Sequence, residues 1–356
     1  MNVNSVPEVE AFLADPLAAH RGATGGIGFV GPDVPIDVLI ASERPFGHLP
    51  WRADGATPWA DQWLESSFPY WSRSILEQWH DGVFDALDTV VFSRADDASQ
   101  RLYYYVRELQ RVGKLRGPAP HMFDIALVRR ESSLAHTERA VLELMRVLAI
   151  GVDALADGIA RANALRRRLT GLERARTASG PVYERLGRAA LWTDPRTWID
   201  GLQIPEAPQA ATRILLAGSM PPDSRLHEAV ETAGARVVAE AHALALGRLG
   251  AEVDAMHVQP VRSLAVHLCA TSVAPRAFLD RATWIVERAR SARATAVVLW
   301  LTREDEGLAW TAPGQRHALA AAGLPVLLLV ARRWQADDDT PGLISEFIER
   351  CKRATA

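Results

Sequence analysis

Six short apolar runs each stop in a polar or glycine turn and hand over to an amphipathic helix. They are IGFVG (27–31), DTVVF (88–92), MFDIAL (122–127), RILLAGS (213–219), TAVVLWLT (295–302) and LPVLLLVA (324–331). Near-continuous apolar character, rather than apolar–polar alternation, marks strands covered on both faces, as in parallel sheets flanked by helices. Between the runs lie helices expected at 34–43, 71–84 (stopping near Gly82), 98–113 and 134–176, the last interrupted near Gly151, with further helices after 223, 282 and 314 and a closing helix SEFIERCKRA. The expected fold is α/β, with two tandem doubly wound, Rossmann-like domains and a long helical connection.

The boundaries follow from composition. Residues 1–21 form an amino-terminal extension, 22–200 the first α/β domain with its helical segment 134–176, 201–212 a Pro/Ala-rich linker, and 213–356 the second domain with its carboxyl-terminal helix. A ligand cleft is expected between the two domains. The chain has 356 residues and a formal net charge of −3, and its arginines are scattered, so nucleic acid is not an expected partner. The start, MNVNSVPEVEAFLADP, lacks a basic segment followed by an apolar core, and no uncharged run is long enough to span a bilayer; a cytoplasmic protein is expected. Two cysteines, Cys269 and Cys351, form neither a C-x-x-C nor a zinc spacing. The GATGG before the first run precedes a strand rather than following one, which is the wrong order for a dinucleotide loop.

In open α/β sheets, chemistry gathers at the carboxyl ends of strands. Three such ends are polar: SRADD after 89–92, GSMPPDS after 214–217 and TREDEG after 296–301. They supply Asp96, Asp97, Glu304, Asp305 and Glu306, enough carboxylates for acid–base work or a hard metal. Against that stands helix capping, a role that suits Asp97 ahead of a helix at Ala98. No His-Glu-x-x-His or Gly-x-Ser-x-Gly pattern is present. His48 and His121 lie near expected strand ends; Cys269, in VHLCATS, reads as packing. Trp51, Trp59, Trp63, Trp71 and Trp79 fall within thirty residues. Singly each reads as core; together they suit an apolar pocket or a partner surface.

Taken in order, these segments resemble the D-component family of 2-hydroxyacyl-CoA dehydratases and benzoyl-CoA reductases. IGFVGPDVPIDVLIASERPFGHLPWRADG resembles the family's opening, FPYWSRSIL its Cys-Pro-Tyr-x-Arg-Ser segment, and DTVVFSRADDASQRLY its strand ending in Ser-Thr-Cys-Asp. RILLAGSMPPDSRLHEAVETAGARVV is similar to the start of the second domain, and TREDEGLAWTAPGQRHALAAAGLPVLLL to the third cysteine segment. The likeness runs from about residue 25 to 350. It implies two Rossmann-like domains around a four-iron cluster held by three cysteines, one from each cysteine segment. Here those positions carry Phe68 or Pro69, Ala95, and Glu304 or Asp305. Phenylalanine and alanine cannot ligate iron, so no bound cluster and no metal site are expected. Trp71, Trp300 and Trp310 are expected to fill the vacated volume.

The resemblance implies a cluster-less, non-redox subunit of a heteromeric acyl-CoA-processing complex, paired with a homologous cluster-bearing subunit or self-associated as a dimer. Its ligand would be a coenzyme A thioester, with an aromatic acyl group suiting the tryptophans. The alternative is a free-standing, redox-neutral enzyme or binder acting on a CoA thioester. There Glu304 or Asp305 is the base and Asp96 an orienting acid, with Arg94 or Arg73 stabilising an enolate or binding phosphate. Trp71, His48 and Ser219 complete the expected substrate-binding set.

Overall fold

The structure, a computed structural model, describes residues 6–18, 25–128, 130–175, 177–192, 203–245, 250–254 and 259–355. The described residues cluster into two compact units. One draws on 1–169, 188–202 and 247–278, the other on 170–187, 203–246 and 279–356. Each unit is thus assembled from three stretches of chain. The first residues of the expected 201–212 linker, 201 and 202, and residues 22–24 of the GATGG stretch lie outside the described residues.

The first unit opens with helix α1 (Val6–Ala14), then β1 (Gly26–Val30), α2 (Ile36–Ala41), β2 (Phe46–His48), α3 (Tyr70–His80), β3 (Leu87–Ser93), α4 (Asp97–Arg111), β4 (Ala119–Phe123) and α5 (Glu131–Val147). Helix α6 (Val152–Ala175) gives it residues through Leu169. The four strands are all parallel, in the order β2-β1-β3-β4. Every residue of β1 is buried, as its unbroken apolar run requires. Trp79, Phe84, Phe92 and Ile75 are among the fully buried side chains beside them. Trp79 stacks on Phe92 and donates its indole N–H to the Arg116 carbonyl at 2.9 Å.

Two details depart from the expected elements. MFDIAL does not continue as strand to residue 127. β4 ends at Phe123 because β3, its partner, ends opposite it at Ser93. The three-residue β2 is too short to carry a periodic signal. Helix α3 stops at His80, beside the expected stop near Gly82, which closes it in a left-handed conformation (φ 75°).

The second unit takes the end of α6, then α7 (Gly180–Ala189) through Gly187, β5 (Arg213–Gly218), α8 (Arg225–Thr232) and β6 (Arg236–Ala241). The chain next supplies α9 (Pro260–Thr271) to the first unit, where it packs on α5. It then returns with α10 (Arg281–Ser291), β7 (Ala296–Thr302), α11 (Glu306–Ala309), α12 (Ala312–Ala321), β8 (Val326–Arg332) and α13 (Thr340–Thr355). The sheet order is β6-β5-β7-β8, again wholly parallel. β6 and β7 are buried along their whole length, whereas β8, at the edge, is only half-buried. Leu215, Val297, Leu299, Ile285 and Leu319 form the core between sheet and helices. Among the described residues, no helix is long and apolar enough to cross a membrane.

Candidate functional site

Both sheets reverse their strand order at one place: between β1 and β3 in the first unit, between β5 and β7 in the second. At such a switch point, the connections leave in opposite directions and open a crevice at the strand carboxyl ends.

In the first unit, Val30 of β1 pairs with Phe92 of β3 where the two strands end. The chain departs through Gly31, Pro32 and Asp33 on one side and Ser93 to Asp96 on the other. Gly31 has φ 85°, and a Cβ there would run into the Ser99 hydroxyl, so glycine is required. Asp33 also lies in the left-handed region, at φ 63°. Its carboxylate accepts a hydrogen bond from the Ser272 hydroxyl, just past α9. Burial pushes the Asp33 carboxyl up to about 6, against the pull of that hydrogen bond. A carboxyl that exchanges its proton near neutrality, held on a strained strand end, has the properties of an acid–base group. Asp33 follows a strand just as SRADD does, and the strand-end rule applied to GPD would have found it.

Asp96 caps α4. Its carboxylate accepts from the amides of Ala98 at 2.6 Å and Ser99 at 3.3 Å, so the capping role belongs to Asp96 rather than Asp97. Burial raises the Asp96 carboxyl, and the two amides oppose it. Asp97 instead pairs with Arg276 at 2.9 Å. Arg94 forms an ion pair with Asp124, past the end of β4. Arg73 serves the scaffold, bonding Asp61 and the carbonyls of Leu64 and Glu65. Trp71 is buried, and His48 meets Phe29 edge to face at 5.2 Å. His121, on β4, has its imidazole pushed down by burial.

The two expected ligand positions of this unit are filled by apolar side chains. Phe68 is buried; Tyr105 meets it edge to face at 5.2 Å, and the Arg101 guanidinium lies 4.0 Å from its ring centre. Ala95 is buried, its amide donating to the Ser93 hydroxyl at 3.0 Å.

In the second unit, β5 ends at Gly218, whose φ of 110° lets the backbone close onto the Trp300 carbonyl. Ser219 donates its hydroxyl hydrogen to Asp305 and accepts the Thr302 amide at 3.0 Å. Glu304 accepts the Trp334 indole N–H at 2.8 Å. Trp300 is fully buried, meeting Trp334 edge to face at 6.0 Å. This brings together two residues singled out in the sequence, Ser219 and Asp305, while the Glu304 carboxylate is taken up by Trp334. Trp310 fills no volume: it is 86% exposed, because the four-residue α11 ends at the surface.

The side chains at the positions to which the resemblance assigns cluster ligands do not have the chemistry of iron–sulfur ligation. Of the three positions, two offer a hydrocarbon, and the third offers a carboxylate already bonded to an indole or a hydroxyl. Cys269 sits on α9, bonded to Thr137 and the Ala126 carbonyl, and Cys351 is buried on α13.

Asp33 gives a direct test of its surroundings. Its raised carboxyl means the native state binds more protons than the unfolded chain between the ordinary 3.8 and about 6. Stability therefore falls as pH rises through that window. Asp33→Asn removes the buried charge and tolerates the left-handed backbone. The variant should be more stable than the native chain by about 1–2 kcal/mol at about pH 8, with the difference vanishing near about pH 4. Denaturant titrations at the two pH values check this.

Comparison with curated proteins found no match. A scan against protein families matched residues 39–344 to the family described as 2-hydroxyglutaryl-CoA dehydratase, D-component. That span runs from within α2 to the first residues of α13; it takes in β2, β3 and β4 of the first sheet and the whole of the second sheet, while β1 and Asp33 precede it. The chain belongs to the 2-hydroxyglutaryl-CoA dehydratase D-component family.

Proposed function

We propose that the chain is a non-redox subunit of a heteromeric assembly acting on acyl-CoA thioesters, keeping the family scaffold without the cluster. The observation that carries this reading is Ala95. A buried methyl group stands at the first switch point, between Ser93 and Asp96, where the resemblance puts a cysteine. Electron delivery to a thioester carbonyl then belongs to a partner chain. This chain's own contribution is to hold polar groups at the strand ends: Asp33 with its exchangeable proton, Arg94 and Ser219. An aromatic surface suits the partner role as well. Trp59 stacks on His80 at 4.1 Å and lies 5.8 Å from Trp63, which is 36% exposed.

A second reading draws support from Asp33. A carboxyl that titrates near neutrality could remove the acidic α-proton of a thioester without iron, making the chain a free-standing, redox-neutral enzyme. In that case Glu304, Asp305 and Asp96 remain the other carboxylates to test.

Anaerobic affinity capture of the tagged chain from its own host, with mass spectrometry of what accompanies it, separates the two. The subunit reading expects a stoichiometric homologue bearing the three cysteines. Recovery of the chain alone, as monomer or homodimer, sinks that reading and favours the free-standing enzyme.

A further inference from the structure

Beyond the switch point, the first unit carries an open cavity of about 490 Å³. Arg94, Arg130, Arg139 and Arg276 line it together with His136, and Asp124 is the one acidic residue in the lining. The four arginines arrive from four separate stretches: the turn after β3, the residue before α5, the body of α5, and the segment following α9. Scattered surface arginines do not converge in this way.

The charges around the cavity are unequally matched. Asp124 is already shared, pairing with Arg94 and lying 3.3 Å from the His136 imidazole. Arg276 is bound to Asp97 and to the Gln100 side chain at 2.7 Å. Arg130 and Arg139 are exposed and have no acidic partner among the described residues. Two guanidiniums without acidic partners in the lining of one cavity favour a multiply charged anion, which each can bind through paired N–H donors. The same cavity leaves apolar surface open: Phe278 is 74% exposed and Val128 46%. An aromatic face beside guanidiniums suits a ligand that is phosphate at one end and flat or apolar at the other.

We propose that this cavity binds a phosphate-bearing small molecule, its phosphate oxygens held by Arg130 and Arg139 and its flat part laid on Phe278. Two sources share that chemistry, the phosphorylated end of coenzyme A and a free nucleotide. The proposal rests on the cavity, not on the subunit reading, so the capture experiment and the binding experiment can fail separately.

The test is calorimetric titration of the full chain at low ionic strength with four probes: coenzyme A, dephospho-coenzyme A, ATP and inorganic phosphate. Arg130→Ala and Arg139→Ala should each weaken the tightest probe by about tenfold, and the double variant by more. Arg139→Lys keeps the charge and should retain part of the affinity. Arg107→Ala, an exposed arginine on α4 outside the cavity, should change nothing. Coenzyme A binding above dephospho-coenzyme A assigns the 3′-phosphate as the recognised group. Equal binding of ATP and both coenzymes assigns the diphosphate. No binding of any probe, or binding unchanged in the Arg130→Ala/Arg139→Ala variant, overturns the proposal.

Discussion

Asp37→Leu should destabilise the first unit by about 3–5 kcal/mol, because it strands a buried guanidinium. Arg166 of α6 meets Asp37 of α2 through two parallel hydrogen bonds of 2.8 Å, and the side chains are 4% and 1% exposed. Arg166 also donates to Asn163 at 3.0 Å. Asn163 in turn bonds the backbone of Val253 in both directions, at 2.8 and 2.9 Å. One ion pair therefore organises three stretches of the unit. The helices approach closely enough for this because Gly158 lies against the Asp37 carbonyl, where a Cβ would collide. The double variant Asp37→Leu/Arg166→Met should recover most of the loss, since two apolar side chains replace a pair whose desolvation is costly. Urea titrations of the single and double variants test this, and a single variant costing less than about 1 kcal/mol would show the pair to be dispensable.

The second large effect belongs to the other unit. Glu240 of β6 lies 2.9 Å from the His227 imidazole and 3.4 Å from that of His242, and all three side chains are buried. Burial alone would raise Glu240, yet the two imidazoles outweigh it and hold the carboxylate well below the ordinary range. Burial alone would lower His227, yet Glu240 outweighs it, helped by Glu184 and Glu231, and the imidazole is raised. The linkage follows in two parts. The Glu240 contribution is present above 4.5 and lost as pH falls through its lowered value. The His227 contribution is present below 6.5 and lost as pH rises through its raised value. Glu240→Leu should cost about 3–5 kcal/mol near about pH 6. Glu240→Gln keeps the shape and removes the charge, so its deficit relative to the native chain should narrow as pH rises above 6.5. A deficit independent of pH would mean that the imidazole is neutral throughout.

The central strands were legible in the sequence because burial on both faces leaves a continuous apolar run, and β1, β3, β5 and β7 all lie where such runs occur. Elements decided by partners were harder to read. β4 ends where β3 stops pairing, and β8 carries a core-like run although it sits at an edge. Helix α9 was hidden because VHLCATS reads as an apolar segment without a cap, and nothing local shows that it packs on α5. The candidate site was legible as strand ends, which placed Arg94, Asp96, Ser219, Glu304 and Asp305. The task of each was set by distant residues. Ser272 lies 239 positions from Asp33 in the chain, and Trp334 lies 30 from Glu304. No local pattern reports such partners, so the sequence marks these carboxylates as strand-end groups without showing what each is bonded to.

The most direct test of the cluster-less subunit is iron and acid-labile sulfide measured on each chain of the anaerobically captured complex after separation. The account predicts a cluster in the cysteine-bearing partner and none in this chain, including after reconstitution with iron and sulfide. A stoichiometric four-iron cluster on this chain alone would contradict it.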